Sequence, residues 1–66
     1  MRVYVNGKET EVAEQLTVAV LVAEKGLNPN TVVVEHNMII LPKEQWSQFT
    51  LASDDKLEII AFVGGG

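Results

Sequence analysis

Three consecutive glycines, Gly64, Gly65 and Gly66, close the sequence directly behind the apolar run Leu57-Glu58-Ile59-Ile60-Ala61-Phe62-Val63. They put an unhindered carboxylate at the end of a stretch without side chains. Glycine has no Cβ, so such a stretch takes backbone conformations closed to other residues and threads a channel too narrow for a side chain. A free α-carboxylate is chemically useful because another enzyme can activate it as an acyl-adenylate and exchange its oxygen for a better nucleophile or leaving group. The plain alternative is a frayed, inert terminus.

Other residues with chemical potential are less well placed. His36 is the single histidine, and a general base needs a positioned partner that the sequence does not supply, so its expected role is structural or solvated. Asp54 and Asp55 are two adjacent carboxylates, short of the six or more oxygens that calcium takes. A turn explains them better. Glu9, Glu11 and Glu14 read as a solvated acidic edge that discourages strand pairing between molecules. Trp46 and Phe49, three apart, are expected to cover one end of the core. No catalytic residue and no metal site is expected.

The elements that must present the terminus fit one small domain. With 66 residues, 47% of them apolar and few aromatic, the chain packs a small aliphatic core, burying only about 60% of its unfolded surface. Residues 1–63 are assigned to this domain and 64–66 to a flexible tail. The net charge of −4 provides no basic stripe for phosphates and argues against nucleic-acid binding. An acidic chain suits a basic partner surface. Without cysteine there is no disulfide, thiolate metal site or cysteine nucleophile, and a reducing, cytoplasmic location is expected. No apolar run approaches the roughly 18 to 20 residues of a membrane span, nor does a secretory leader open the chain.

Met1 to Val5 alternates, Asn6-Gly7 is a hairpin turn signal, and a second strand runs from Lys8 to Val12. The run Val18 to Ala23 is β-branched and ambiguous by periodicity. Its ends favour helix. Thr17 serves as N-cap, Leu16 staples onto Leu21, and Gly26 gives a left-handed C-cap with Leu27 folding back on Val22. Val18, Leu21 and Val22 then face the sheet. A third strand, Thr31 to His36, follows the turn Asn28-Pro29-Asn30. Asn37-Met38 breaks it, Met38 to Leu41 forms a short fourth piece, and Pro42 opens a helical turn from Lys43 to Phe49. The last strand starts at Lys56 and ends at Val63.

Strands gathered around one helix predict an α+β fold in which a mixed sheet clasps the helix, with the final strand beside the first: the β-grasp architecture. In that strand Leu57, Ile59, Ala61 and Val63 point to the helix, while Lys56, Glu58, Ile60 and Phe62 point away. Val3 and Val5 point inward and Tyr4 outward. If first and last strands are neighbours, Tyr4, Ile60 and Phe62 form an apolar patch beside the tail, a candidate partner-docking surface.

Over essentially its whole length the chain resembles the ThiS family of sulfur carriers in thiamine biosynthesis. The resemblance rests on Val5-Asn6-Gly7-Lys8, Val34-Glu35-His36-Asn37, Pro42-Lys43-Glu44-Gln45-Trp46, Asp54-Asp55 and the terminal Val63-Gly64-Gly65-Gly66. The Glu-x-Asn step and the Lys-Glu-x-Trp turn favour this branch among ubiquitin-like carriers, and the third glycine departs from its pattern. The small subunit of molybdopterin synthase is similar but longer, with a Pro-rich approach to the diglycine. A ubiquitin-like binding or conjugation module is a further alternative.

The resemblance implies a carrier that is modified rather than an enzyme. A ubiquitin-activating-type adenylyltransferase, using ATP and Mg²⁺ in its own site, would adenylate Gly66, with Gly64 and Gly65 as the threading residues. A persulfide from a cysteine desulfurase system or other donor would leave a thiocarboxylate. Its sulfur would pass to thiazole synthase. The carrier itself is expected to bind no cofactor.

Overall fold

The computed structural model describes residues 1–62. Strands β1 (Arg2–Val5) and β2 (Lys8–Glu11) pair antiparallel, Val5 opposite Lys8. Between them Asn6 and Gly7 take left-handed φ values of 53° and 79°. Two such residues make the turn whose twist matches that of the flanking strands.

Helix α1 (Val18–Glu24) is fixed at both ends as its flanking residues predict. The Thr17 hydroxyl accepts from the Val20 N–H at 3.3 Å. At the other end the Gly26 N–H donates to the Ala23 carbonyl at 3.0 Å and the Leu27 N–H to the Val22 carbonyl at 3.2 Å, with Gly26 at φ 71°. This pair of bonds is the Schellman closure, which requires the left-handed residue that glycine supplies without strain. The termini thus override the β-branched composition, and Val18, Leu21 and Val22 are buried beneath the sheet.

Strands β3 (Val32–His36) and β4 (Ile39–Leu41) form a second hairpin. Its turn is Asn37-Met38, both with positive φ, 49° and 74°, which is why β4 begins one residue later than expected. Pro42 then leads into a 3-10 turn, Lys43–Gln48, and β5 (Lys56–Ala61) ends the described fold. The sheet order is β2-β1-β5-β3-β4, with β5 parallel to β1 and antiparallel to β3. A mixed sheet whose last strand is central, laid over one helix, is the expected β-grasp arrangement.

The core joins Val3, Val5, Val34, Leu57 and Ile59 from the sheet to Leu16, Val18, Leu21 and Val22. Trp46 is more than a cover for one end: it is 3% exposed, and its Nε1 donates to the Leu41 carbonyl at 3.0 Å. Phe49, partly buried, packs edge-on against His36 with ring centroids 4.6 Å apart. Among the described residues no helix is long and apolar enough to cross a membrane.

Candidate functional site

The residues that carry the terminus, Val63 to Gly66, lie outside the described residues, and with them the domain boundary at 63 and the roles expected of Gly64, Gly65 and Gly66. The described part of the site is the strand that leads to them. On its β3 side, β5 is paired along its length, from Leu57 opposite His36 to Ala61 opposite Val32. The Phe62 N–H extends this ladder by donating to the Thr31 carbonyl at 2.7 Å. On its β1 side the register stops at Tyr4 opposite Lys56 and Val5 opposite Leu57.

Asn6 prolongs that side by one step with its side chain. Its Oδ1 accepts from the Ile59 N–H at 2.7 Å, and its Nδ2 donates to the Ile59 carbonyl at 3.3 Å. A turn residue in left-handed conformation therefore also imitates a strand residue, satisfying both main-chain groups of Ile59. By sequence alone Asn6 reads only as a turn residue. The signal that could have revealed the second role is the choice of Asn over Asp or Gly, since only the carboxamide both donates and accepts.

The outer face of the sheet corrects one expectation. Ile60 and Phe62 do point away from the helix and are 48% and 55% exposed, and β1 is indeed the neighbour of β5. Tyr4, however, is set opposite Lys56, four residues before Ile60, which is roughly 13 Å along a strand. Because the two strands are parallel and β1 ends at Val5, Tyr4 cannot reach the patch. It instead lies under the Arg2 guanidinium, 5.7 Å from its ring centroid. Arg2 also bonds Asp54 at 3.0 Å, a contact that raises its pKa above the ordinary value.

The apolar company of Ile60 comes from the other side. Val33 is its direct partner on β3, and Ile40 on β4, 63% exposed, follows across the sheet opposite Glu35. Neither is legible from the sequence, because the neighbour of an outward residue depends on strand order. Glu35 and Glu58, paired with each other, border this patch with negative charge.

His36 has a structural setting. Its Nε2 lies 3.1 Å from the Asp55 carboxylate, and Asp55, 9% exposed, also accepts from the Ala52 N–H at 2.8 Å. Asp55 thereby closes the turn before β5, as the acidic pair was expected to do. His36 and Asp55 sit at the opposite end of β5 from the tail, with Asp55 just before the strand and Leu57 facing His36. Among the described residues no cluster of three His, Asp or Glu side chains gathers.

Residues 2–66 match the model of the ThiS family. The chain is 37% identical over 62 residues to the sulfur carrier protein ThiS of Bacillus subtilis, covering 92% of this chain and 94% of that protein. It is 41% identical over 66 residues to a thiazole synthase of Paramagnetospirillum magneticum; the match takes in all of this chain but spans only 20% of that protein's length. Among solved structures, the crystal structure of a thiamine biosynthesis protein (ThiS) from Geobacter metallireducens superposes with a TM-score of 0.84 at 38% identity, covering 100% of both chains.

Proposed function

This chain belongs to the ThiS family, and from that premise we propose that it is a sulfur carrier of thiamine biosynthesis whose terminal carboxylate, on Gly66, becomes a thiocarboxylate. The observation that carries the reading is its nearly end-to-end likeness to the carrier of Bacillus subtilis. An adenylating enzyme of the ubiquitin-activating type, with ATP and Mg²⁺ in its own site, is the first partner. The Gly66 carboxylate attacks the α-phosphorus of ATP and pyrophosphate leaves. The terminal sulfur of a persulfide then displaces AMP from the carbonyl, and a thiol cleaves the resulting disulfide to leave the thiocarboxylate.

Thiazole synthase is the proposed acceptor. Its support is the likeness of this whole chain to a fifth of a protein of that name, which links a carrier-like sequence to that activity. In this reading the reacting group of the chain is its own terminus, and the chain acts as a co-substrate. The patch formed by Ile60, Phe62, Val33 and Ile40 would supply the docking area, because such side chains gain most when a partner removes them from water.

The test is pyrophosphate exchange into ATP by the adenylating enzyme, followed by the intact mass of the carrier after a sulfur source is added. The wild-type chain is expected to support exchange and to gain the mass difference between sulfur and oxygen on its terminal peptide. Gly65→Ala should sharply slow exchange, and deletion of Gly66, which withdraws the carboxylate by about 3.3 to 3.6 Å, should abolish transfer. Wild-type rates for both variants, or an isopeptide product in place of the thiocarboxylate, would remove the carrier reading.

A further inference from the structure

β5 outlasts β1, and the place where it does so is unlike the rest of the surface. Beyond Asn6 a groove opens along the β1 side of β5, floored by Val5, Leu27 and Ile59 and rimmed by Lys8 and Lys25. Among the described residues no carboxylate lines it, on a chain with nine acids against five lysines and arginines. Among the described residues neither lysine forms an ion pair. The outer face of the same strand, by contrast, presents Glu58 beside Glu35.

The groove also holds main-chain groups that want partners. Phe62 and Lys56 hydrogen-bond across to the β3 side through Thr31 and Asn37. Antiparallel alternation therefore turns Glu58 and Ile60 to β3, and Leu57, Ile59 and Ala61 to β1. Leu57 and Ile59 are met by Asn6. Ala61, exposed and lining the groove, comes next in that series, with no strand residue opposite it on this side among the described residues.

We propose that this groove receives an extended acidic segment of the adenylating enzyme, which adds to the open flank of β5 at Ala61 as a short strand and sets carboxylates against Lys8 and Lys25. The identity of the partner rests on the carrier reading given above. A strand fits because it serves all three features together: main-chain bonds to Ala61, alternate apolar side chains on the floor, and acids at the rim. A small anion would satisfy the lysines and leave the floor and the strand edge unserved. A second copy of this chain, docking groove to groove about a twofold axis, would oppose lysine to lysine.

The consequence for the carrier is orientation. An apolar patch edged by acids on the outer face and a basic groove on the flank give the two sides of β5 opposite polarity. A partner that matches both can grip the strand in only one rotation, which fixes how residues 63–66 enter its active site. Charge complementarity of this kind acts on encounter and register.

The experiment uses the full chain, the adenylating enzyme and pyrophosphate exchange, comparing wild type with Lys8→Glu/Lys25→Glu and with Lys8→Gln/Lys25→Gln at low and high salt. Both lysines are exposed, so thermal melts should be unchanged. KM for the carrier is expected to rise about tenfold or more in the Glu pair and less in the Gln pair, with kcat nearly constant and the salt dependence of KM reduced. Should the Glu pair fail to fold, the Gln pair decides by the same criterion. Wild-type KM in the variants at both salt concentrations overturns the proposal. So does a fall in KM, which would mean that the lysines hold the chain's own terminal carboxylate instead. Absence of exchange with the wild-type chain defeats the carrier reading and the groove's partner together, an outcome distinct from wild-type exchange that is indifferent to the lysines.

Discussion

The two flanks of β5 are built to different standards. Toward β3 the strand is paired from Leu57 to Ala61 and the ladder continues through Phe62. Toward β1 it has Tyr4 and Val5, then one borrowed side chain from Asn6, then the groove. The cause is local: Asn6-Gly7 reverses β1 after four residues, whereas β5 runs for six. The β3 side pairs the strand as far as Phe62, and the other flank is open beyond Asn6, the edge on which the proposed partner strand would add. Anchoring and presentation are thus divided between the two sides of a single strand.

The largest effect that would break this contrast comes from proline on the paired flank. Ile60 is set opposite Val33 in the phase that bonds to β3, so Ile60→Pro removes a ladder donor in a central strand. Its cost should be about 3 kcal/mol or more. A domain of this length has a total stability of roughly 3 to 10 kcal/mol at 0.05–0.15 kcal/mol per residue, so the variant should lose about a third of its stability or more, and all of it at the lower end of that range. Urea titration followed by circular dichroism measures this. A midpoint near that of wild type would mean that the β3 flank does not carry the strand.

Asn6 separates the contribution of the borrowed pairing from that of the turn. Asn6→Gly keeps the left-handed turn and deletes both bonds to Ile59, for an expected loss of about 1 to 3 kcal/mol. Asn6→Ala deletes the same bonds but keeps a Cβ at φ 53° without the carboxamide that eases the left-handed conformation, and should lose a further 1 to 2 kcal/mol or so. Amide exchange gives the more pointed readout: the Ile59 N–H should lose protection in both variants while that of Phe62, bonded to Thr31, keeps its protection relative to global stability. Equal loss at both amides would show that the two flanks open together and are not independent.

Legibility in the sequence followed the range of the interactions. The first hairpin, both caps of α1 and the inward Leu57 and Ile59 of β5 were readable because Asn6-Gly7, Thr17 and Gly26 act within a few residues of themselves and because strand alternation has a strict period; Ala61, expected inward with them, is exposed where the strand outruns β1. Central placement of β5 was readable only as topology, supported by the resemblance carried by the terminal glycines and the Lys43-Glu44-Gln45-Trp46 turn. Register was not readable. That Tyr4 faces Lys56 instead of Ile60 depends on where two strands far apart in sequence come into step, and neither strand encodes that by itself. The same holds for Val33 and Ile40 in the apolar patch, for Asn6 reaching Ile59, and for Lys8 and Lys25 meeting at one groove from opposite ends of the first hairpin and α1. Local chemistry fixed each of these side chains; only the assembled sheet made them neighbours.

The smallest expected effect on stability is the sharpest test of the contrast, because it moves the proline by one residue. Ala61→Pro places the ring where the N–H faces the groove. An edge position tolerates proline because no ladder bond is lost, and the preceding Ile60 is already in the extended conformation that proline favours. Stability should therefore stay within about 0.5 kcal/mol of wild type, against the loss of about 3 kcal/mol or more expected for Ile60→Pro. Binding should respond differently. If a partner strand accepts the Ala61 N–H, its loss should raise KM in pyrophosphate exchange by several-fold, the value of one main-chain hydrogen bond of about 1 kcal/mol. A melting temperature that drops as far as that of Ile60→Pro would show that the N–H of Ala61 is already engaged within the fold. The flank would then be closed, and the asymmetry of β5, together with the docking groove inferred from it, would have to be abandoned.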